Sequence, residues 1–315
     1  MASTTTTELT GRRRHGADSL FRLATSASGL IVVALVLGVA AFLLARAIPS
    51  LAADGASFLT SREWNVSDPA NLRFGIAQLL WVTVIASLVA MVIAVPIAIG
   101  VALYLTLYAP KRLAKPAGYL VDLLAAVPSI IFGLWGARIL LSYVRPVQDF
   151  LTSAFGWIPL FGATTVQSGT IFLAAVVLSI MILPIVTALS REVFAQTPKE
   201  HMEAALALGA TRWEMIRLAV LPFGRPGVVS AAMLGLGRAL GETIAVTIIL
   251  STTNGAFSFS LFSGGETFAS KIANAAAEFD SPAKTGAYIS AGLVLFLLTF
   301  LVNAIARLVI GRRKA

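Results

Sequence analysis

Arg238 is the residue of this sequence whose type and position most strongly suggest chemistry. It lies near the middle of an apolar segment between Gly227 and Leu250. A charge in the centre of a membrane-spanning helix costs at least about 2.5 to 3.5 kcal/mol, so such an arginine has to face a polar interior or a partner. Glu242 follows four residues later, on the same face of a continuous helix, where the two side chains could interact.

Two interpretations of this arginine stay open. In the structural one, Arg238 and Glu242 neutralise each other and fix the helix against its neighbours, although Arg before Glu is the less favourable order on a helix. In the functional one, the permanently charged, planar guanidinium binds a tetrahedral oxyanion, and Glu242 holds it in place. Arg138, near the outer end of another apolar segment, either snorkels to the interface or attracts anions at the mouth of a pathway.

The composition around these residues is that of a membrane protein. Of 315 residues, 57% are hydrophobic and 12% are charged, whereas soluble chains have about 45 to 50% and about 25%. This composition excludes a soluble enzyme, a secreted disulfide scaffold and a disordered chain. The sequence contains no cysteine, which excludes disulfides, thiolate catalysis and metal sites with Cys ligands.

Six apolar segments are long enough to cross a bilayer, which takes roughly 17 to 25 residues. They cover residues 24–48, 75–105, 118–141, 168–189, 227–250 and 285–307. Because every backbone amide in lipid needs a hydrogen-bond partner, we predict an all-α membrane protein with six transmembrane helices. The predicted organisation is a tail (1–23), a first helix (24–48), an outer loop (49–74), a core (75–307) with a cytoplasmic loop (190–226), and a second tail (308–315).

Basic residues predict the orientation, since cytoplasmic loops collect Lys and Arg. Sixteen of the 24 Lys and Arg lie in the two tails and in the loops after the second and fourth segments. Those in the tails are Arg12, Arg13, Arg14, Arg22, Arg307, Arg312, Arg313 and Lys314. We therefore expect both termini in the cytoplasm and attribute the net charge of +9 to topology, with no nucleic acid as a partner. The first segment exceeds the roughly 7 to 15 residues of a signal-peptide core, which predicts an uncleaved anchor.

The cytoplasmic loop between the fourth and fifth segments encodes two short amphipathic helices. Two stretches, Thr197 to Glu200 and Thr211 to Glu214, have the spacing of a capping box, in which Thr and Glu satisfy free amides at a helix N-terminus. We predict a first helix over 198–208 that stops at Gly209 and a second that Pro222 ends. The pair either lies on the lipid interface or docks on a partner protein.

Three stretches of the sequence carry a family resemblance. Glu203-Ala204-Ala205, then Gly209 and Leu221-Pro222, resemble the EAA loop of ABC-importer permeases, with Ala219 where that family usually has isoleucine. The stretches 127–136 and 237–247 are similar to PstC-type permease subunits of phosphate-specific ABC importers. The resemblance implies the type I permease fold, an anchor helix ahead of a five-helix core. It also implies that the loop residues Glu203, Ala204, Ala205, Gly209, Leu221 and Pro222 couple the chain to an ATPase.

The function that follows is the permease subunit of an ATP-driven phosphate importer in the bacterial inner membrane, with Arg238, Glu242 and Arg138 on the substrate pathway. The resemblance implies a PstA-like second permease, a PstB-like ATPase dimer and a PstS-like phosphate-binding protein as partners. The chain has no phosphate-binding glycine loop ending in Lys-Ser/Thr, so we expect neither enzymatic activity nor a cofactor. A permease for sulfate or molybdate and a secondary anion transporter remain alternatives, although no internal repeat supports the latter.

Overall fold

The computed structural model describes residues 15–68, 71–164, 166, 168–251 and 258–311. In this part of the chain six helices are long and apolar enough to cross a membrane, as the sequence predicts. They cover Ser19–Ala52, Ala77–Tyr108, Ser129–Phe155, Ile171–Ala195, Arg212–Gly241 and Pro282–Leu308. The basic residues Arg12 to Arg14, Arg312, Arg313 and Lys314 lie outside the described residues.

The regular elements follow one another as short and long helices with one small hairpin. The helices are α1 (His15–Ala52), α2 (Ala77–Leu103), α3 (Lys111–Ala125), α4 (Ser129–Trp135), α5 (Leu141–Phe155), α6 (Ile171–Ala195), α7 (Lys199–Ala207), α8 (Arg212–Met215), α9 (Leu221–Gly241), α10 (Ile244–Ile249), α11 (Phe268–Asn274) and α12 (Pro282–Gly311). The strands are β1 (Trp64–Asn65) and β2 (Arg73–Phe74). Three π-helical turns, Tyr104–Tyr108, Gly136–Leu140 and Ile216–Val220, continue α2, join α4 to α5 and join α8 to α9.

Helix α6 forms the centre of the bundle. Two thirds of its apolar window is buried, and it packs against α2, α9 and α3. On α2, Ala90, Ala94, Ala98 and Ala102 are fully buried at four-residue intervals. Such a stripe of small side chains lets two helix backbones approach closely, which is how membrane helices associate. Thr170 caps the start of α6 by accepting a hydrogen bond from the Leu173 amide at 3.2 Å.

The two faces of the bundle differ in the elements they carry. The α7 face holds α7, α8 and the end of α6 at Ala195, and the hairpin face holds β1, β2 and the start of α6. On the hairpin face, Trp64 pairs with Phe74 across the antiparallel strands. Their rings lie 5.6 Å apart, and the Trp64 ring also lies 5.4 Å from that of Tyr288 near the start of α12. From the sequence, this segment was predicted only as an outer loop (49–74).

Breaks divide two of the predicted spans, the third (118–141) and the fifth (227–250). In the third, Ala126–Pro128 separates α3 from α4, and the helix runs to Phe155 instead of ending near residue 141. In the fifth, the helix begins at Arg212 and breaks at Glu242 and Thr243 before α10. The shorter halves pack on each other: a Cβ placed on Gly133 of α4 would lie 2.9 Å from Cα of Ala245 on α10. The two family-like stretches, 127–136 and 237–247, therefore meet in space.

Helix α1 lies at the edge of the bundle with its apolar window exposed. Its main neighbour is α12. Ser50 donates a hydrogen bond to the Ala283 carbonyl oxygen at 3.0 Å, and Gly286 leaves room for the Ser50 side chain. This peripheral position agrees with the prediction of an anchor helix ahead of a five-helix core.

Candidate functional site

Arg238 lies at mid-depth of the bundle, in the last turn of α9. Three residues before it, Gly235 packs against Val186 and Ile182, at the centre of α6. The Arg238 side chain is half-buried. The carbonyls of a last helical turn lack intrahelical partners and carry partial negative charge, so this position favours a cation.

The arginine faces a cavity of about 630 Å³. One wall is a single face of α9, in which Ser230, Met233, Leu234, Gly237 and Arg238 recur at the spacing of helical turns. The opposite wall comes from α12, through Asn303, Ala306 and Arg307, and Ile185 of α6 contributes to the lining. The cavity therefore combines apolar walls with two guanidinium groups and two neutral polar side chains.

Arg238 and Glu242 do not share a helix face, although both interpretations from the sequence assumed that they do. A shared helix face requires an unbroken helix, but α9 ends at Gly241 and Glu242 has extended backbone angles (φ −68°, ψ 124°). Among the side chains that the structure describes, no carboxylate lies within 4.0 Å of the Arg238 guanidinium.

Glu242 instead stabilises the break in the fifth span. Its Oε1 accepts a hydrogen bond from the Ala245 amide at 3.2 Å, which satisfies one of the free amides at the start of α10. The Thr243 hydroxyl donates to the Gly241 carbonyl oxygen at 3.2 Å. Both side chains thus replace hydrogen bonds that the interrupted helix has lost. Irregular backbone at membrane depth is tolerated where it is buried in protein or lines a water-filled cavity.

Arg138 lies apart from this cavity. Its side chain is exposed and belongs to the π-helical turn Gly136–Leu140. Gly136 packs against Val177 and Ile249, toward the hairpin face. The structure therefore does not bring Arg138 together with Arg238, and its role on the pathway stays a prediction.

The loop between the fourth and fifth spans forms the two predicted helices, with different ends from those expected. Helix α7 begins after Pro198 without a side-chain cap, and the buried Thr197 hydroxyl has no hydrogen-bond partner. The first capping box is therefore absent. Gly209 adopts the left-handed conformation (φ +85°), as predicted for a residue that ends a helix.

The second capping box is present. Thr211 Oγ1 accepts from the Glu214 amide at 3.3 Å, and Glu214 Oε2 accepts from the Thr211 amide at 2.7 Å. Pro222 does not end this helix, contrary to prediction. The π-helical turn Ile216–Val220 widens the backbone just before the proline, and the helix continues through Leu221 and Pro222 to Gly241.

Helix α7 is attached by one face and exposed by the other. Met202 and Ala205 pack against a cluster formed by α2, α6 and the α8–α9 segment. Glu203 and Ala204 are exposed, and Leu208 just beyond α7 is 90% exposed. An apolar surface on a loop outside the membrane spans is typical of a site that another molecule covers.

Comparison with known proteins places this arrangement in a family. Residues 94–315 match the family model described as the inner membrane component of binding-protein-dependent transport systems. Over 297 residues the chain is 57% identical to the protein of Mycobacterium tuberculosis named phosphate transport system permease protein PstC 2, covering 93% of this chain and 92% of that protein. The chain belongs to the PstC-type permeases of binding-protein-dependent transport systems.

More distant PstC relatives also match nine tenths or more of the chain. The Mesorhizobium japonicum protein named PstC is 39% identical over 98% of this chain and 94% of its own length. The Methanocaldococcus jannaschii protein, named as a probable PstC, is 33% identical over 90% and 91%. The family assignment predicted from the sequence is confirmed, and with it a multi-pass membrane protein of a transport family.

Solved structures show the same fold. An inward-facing methionine ABC transporter matches 75% of this chain and 95% of its own chain with a TM-score of 0.52 and 17% identity. An ABC transporter involved in the import of alginate matches 76% and 79% with a TM-score of 0.54 and 16% identity. The predicted type I permease fold is confirmed.

Three residues of this permease's cavity, Ser230, Asn303 and Arg307, were not predicted as pathway residues. From the sequence, Arg307 was interpreted only as a basic residue of the C-terminal tail. One signal was available: Asn303 and Arg307 are four residues apart in an apolar segment, which places them on one helix face. That this face meets the Arg238 face of α9 depends on how the two helices pack, which the sequence pattern did not reveal.

Proposed function

We propose that this chain is the membrane permease subunit of an ATP-driven inorganic phosphate importer and that Arg238 contacts the anion in transit. The observation that carries the proposal is a half-buried guanidinium at mid-depth, facing a cavity beside a broken helix, in a chain 57% identical to a named phosphate permease. A charge at this depth is costly and marks an ion or substrate pathway by default.

The guanidinium suits a tetrahedral oxyanion. It is charged at every physiological pH and its planar fork matches phosphate geometry bidentately. Because Glu242 is used to cap α10, the positive charge of Arg238 is available to the cavity. Glu242 then acts on the pathway indirectly, by fixing the break that follows the arginine.

The coupling loop connects an ATPase to the same arginine. We infer that the exposed surface of α7, with Glu203, Ala204 and Ala205, docks on a separate ATP-hydrolysing subunit. The second helix of the loop is continuous with the helix that carries Arg238, from Arg212 to Gly241. A displacement of the loop would therefore be transmitted along one helix to mid-depth of the bundle.

The remaining partners and the orientation complete the proposal. The α7 face is cytoplasmic, as are both termini, in agreement with the positive-inside rule. A PstA-like permease forms the other half of the pathway, a PstB-like dimer supplies ATP hydrolysis, and a PstS-like protein delivers phosphate at the hairpin face. Arg138, exposed toward that face, attracts anions to the entrance.

Phosphate uptake by the complete importer in proteoliposomes tests the role of Arg238. Two charge-assisted hydrogen bonds of about 1.5 to 3 kcal/mol each are lost in Arg238→Gln, so uptake should fall by about a hundredfold or more. Arg238→Lys keeps the charge without the fork and should retain an intermediate rate. Arg22→Gln is the matched control, because Arg22 is an exposed arginine of α1 and its loss should leave uptake unchanged.

The outcomes separate the proposal from its alternatives. Normal uptake by Arg238→Gln, with the subunits assembled, would overturn the role of Arg238. Inhibition of phosphate uptake by equimolar sulfate or molybdate would assign the permease to another oxyanion. Phosphate transport by the purified chain without its ATPase would favour a secondary transporter.

A further inference from the structure

The cavity that contains Arg238 contains a second cation, Arg307 of α12. Helices α9 and α12 run in opposite directions, since α9 starts at the α7 face and α12 starts at the hairpin face. The α9 wall extends eight residues from Ser230 to Arg238, or about 12 Å along the axis at roughly 1.5 Å per residue. Arg307 therefore lies toward the α7 face and Arg238 at the deeper end.

The second arginine is accompanied by a polar side chain. Asn303 lies one helical turn before Arg307, lines the same cavity and is exposed in the isolated chain. A bare amide facing hydrocarbon is unfavourable, which favours a hydrated cavity around it. Among the described side chains, no carboxylate lies within 4.0 Å of Arg307. Two unpaired guanidinium groups in one cavity repel each other unless an anion is present.

We propose that Arg307 and Asn303 form a second oxyanion subsite, between Arg238 and the cytoplasm, to which the anion moves as it leaves the permease. The inference rests on the proposed function, since it requires that an oxyanion travels past Arg238. A single deep cation would retain its anion. A second cation on the exit side lowers the energy of the anion after it leaves the first, and the amide of Asn303 donates a hydrogen bond in place of water.

The size of the effect follows from Coulomb's law. If the axial length of the cavity wall, about 12 Å, is taken as the separation of the two guanidinium groups, an anion midway between them lies about 6 Å from Arg307. At an effective dielectric constant of about 20, it gains more from this charge midway than at Arg238, by an amount equivalent to roughly tenfold in a rate. We expect Arg307→Gln to lower the maximal uptake rate by roughly that factor. The KM for the loaded binding protein should not change, because that protein docks at the opposite face.

The complete importer in proteoliposomes of phosphatidylcholine, with and without anionic lipid, is the test system. Arg307→Gln removes the positive charge, whereas Arg307→Lys keeps it. The control variant is Arg22→Gln, which removes a basic residue of α1 outside the cavity. Binding-protein-stimulated ATP hydrolysis and co-purification of the subunits check assembly. The expected result is a loss of maximal rate in Arg307→Gln, recovery in Arg307→Lys and no change in Arg22→Gln, in both lipids.

Each other outcome overturns the subsite. An unchanged maximal uptake rate in Arg307→Gln shows that the arginine only helps to orient the chain in the membrane. An equal loss of rate in Arg307→Gln and Arg307→Lys shows that the positive charge at this position does not contribute to transport. A loss that disappears without anionic lipid assigns Arg307 to lipid phosphates. If the Arg307→Gln importer does not assemble, the maximal uptake rate of Asn303→Ala is measured instead, and an unchanged rate in that variant overturns the subsite. Failure of the proposed function is recognised separately, because wild-type importer would then move no phosphate or Arg238→Gln would transport normally.

Discussion

Glu242 offers a sharp test of how the broken span is built. The structure assigns its carboxylate to the start of α10 through the Ala245 amide, not to Arg238. Glu242→Ala removes this cap, whereas Glu242→Gln keeps a side-chain oxygen that can still accept the hydrogen bond. The two variants therefore separate the cap from the charge.

The expected magnitudes follow from capping energetics. Loss of an N-terminal cap costs about 0.5 to 2 kcal/mol, and loss of only the negative charge near a helix N-terminus costs about 0.3 to 1 kcal/mol. At about 2 °C for each kcal/mol in a chain of this length, Glu242→Ala should lower the melting temperature by about 1 to 4 °C. Glu242→Gln should lower it less.

A double-mutant cycle with Arg238→Gln decides between the cap and an ion pair. Side chains that do not interact give additive changes within about 0.3 to 0.5 kcal/mol, so we expect a coupling energy no larger than that. The assay is thermal unfolding of the purified importer in detergent, with single and double variants measured side by side. A coupling energy above about 1 kcal/mol, or restored uptake in the charge-exchanged variant Arg238→Glu with Glu242→Arg, would refute this reasoning.

Three further predictions concern packing and the coupling loop. Gly133→Ala should destabilise the protein by about 1 to 3 kcal/mol relative to Gly100→Ala in thermal unfolding. The added Cβ at position 133 would meet α10, whereas nothing lies within 4 Å of a Cβ at position 100. Equal melting temperatures of the two variants would contradict the close approach of α4 and α10. Thr211→Ala should lower the free energy of unfolding by about 0.5 to 2 kcal/mol, because it removes the cap. Thr197→Val replaces a buried hydroxyl that has no hydrogen-bond partner and should be neutral or stabilising. If Thr197→Val were the more destabilising of the two, the capping assignment would be wrong. Gly209→Ala forces an L-residue into the left-handed region (φ +85°), which costs about 1 to 2 kcal/mol. We expect this variant to take up less phosphate for each ATP hydrolysed. An unchanged ratio of phosphate taken up to ATP hydrolysed would contradict this expectation.

The sequence was sufficient where one strong physical constraint acts alone. The hydrocarbon thickness and the need to satisfy backbone amides predict six helices of the observed kind. A cation such as Arg238 in an apolar segment is visible without any structure, and so is the glycine that ends α7.

The sequence was insufficient where neighbouring elements override a local pattern. Glu242 fits a helical spacing from Arg238, but the backbone leaves the helix one residue earlier, so the spacing no longer describes a shared face. Pro222 ends a helix by local rules, yet the π-helical turn before it allows the helix to continue. The cavity shared by α9 and α12 depends on which faces of distant helices meet, and no local pattern contains that information.

The contact between Gly133 and Ala245 divides the fifth span mechanically. Helix α10 is wedged against α4, so it has little freedom to follow α9. At its other end α9 is continuous with α8 and the loop that carries α7, and only Glu242 and Thr243 join the two halves. A shift or rotation imposed from the loop must therefore be absorbed at those two residues. Arg238, one turn before them, would move with the driven half, whereas the hairpin end of the span would stay in place.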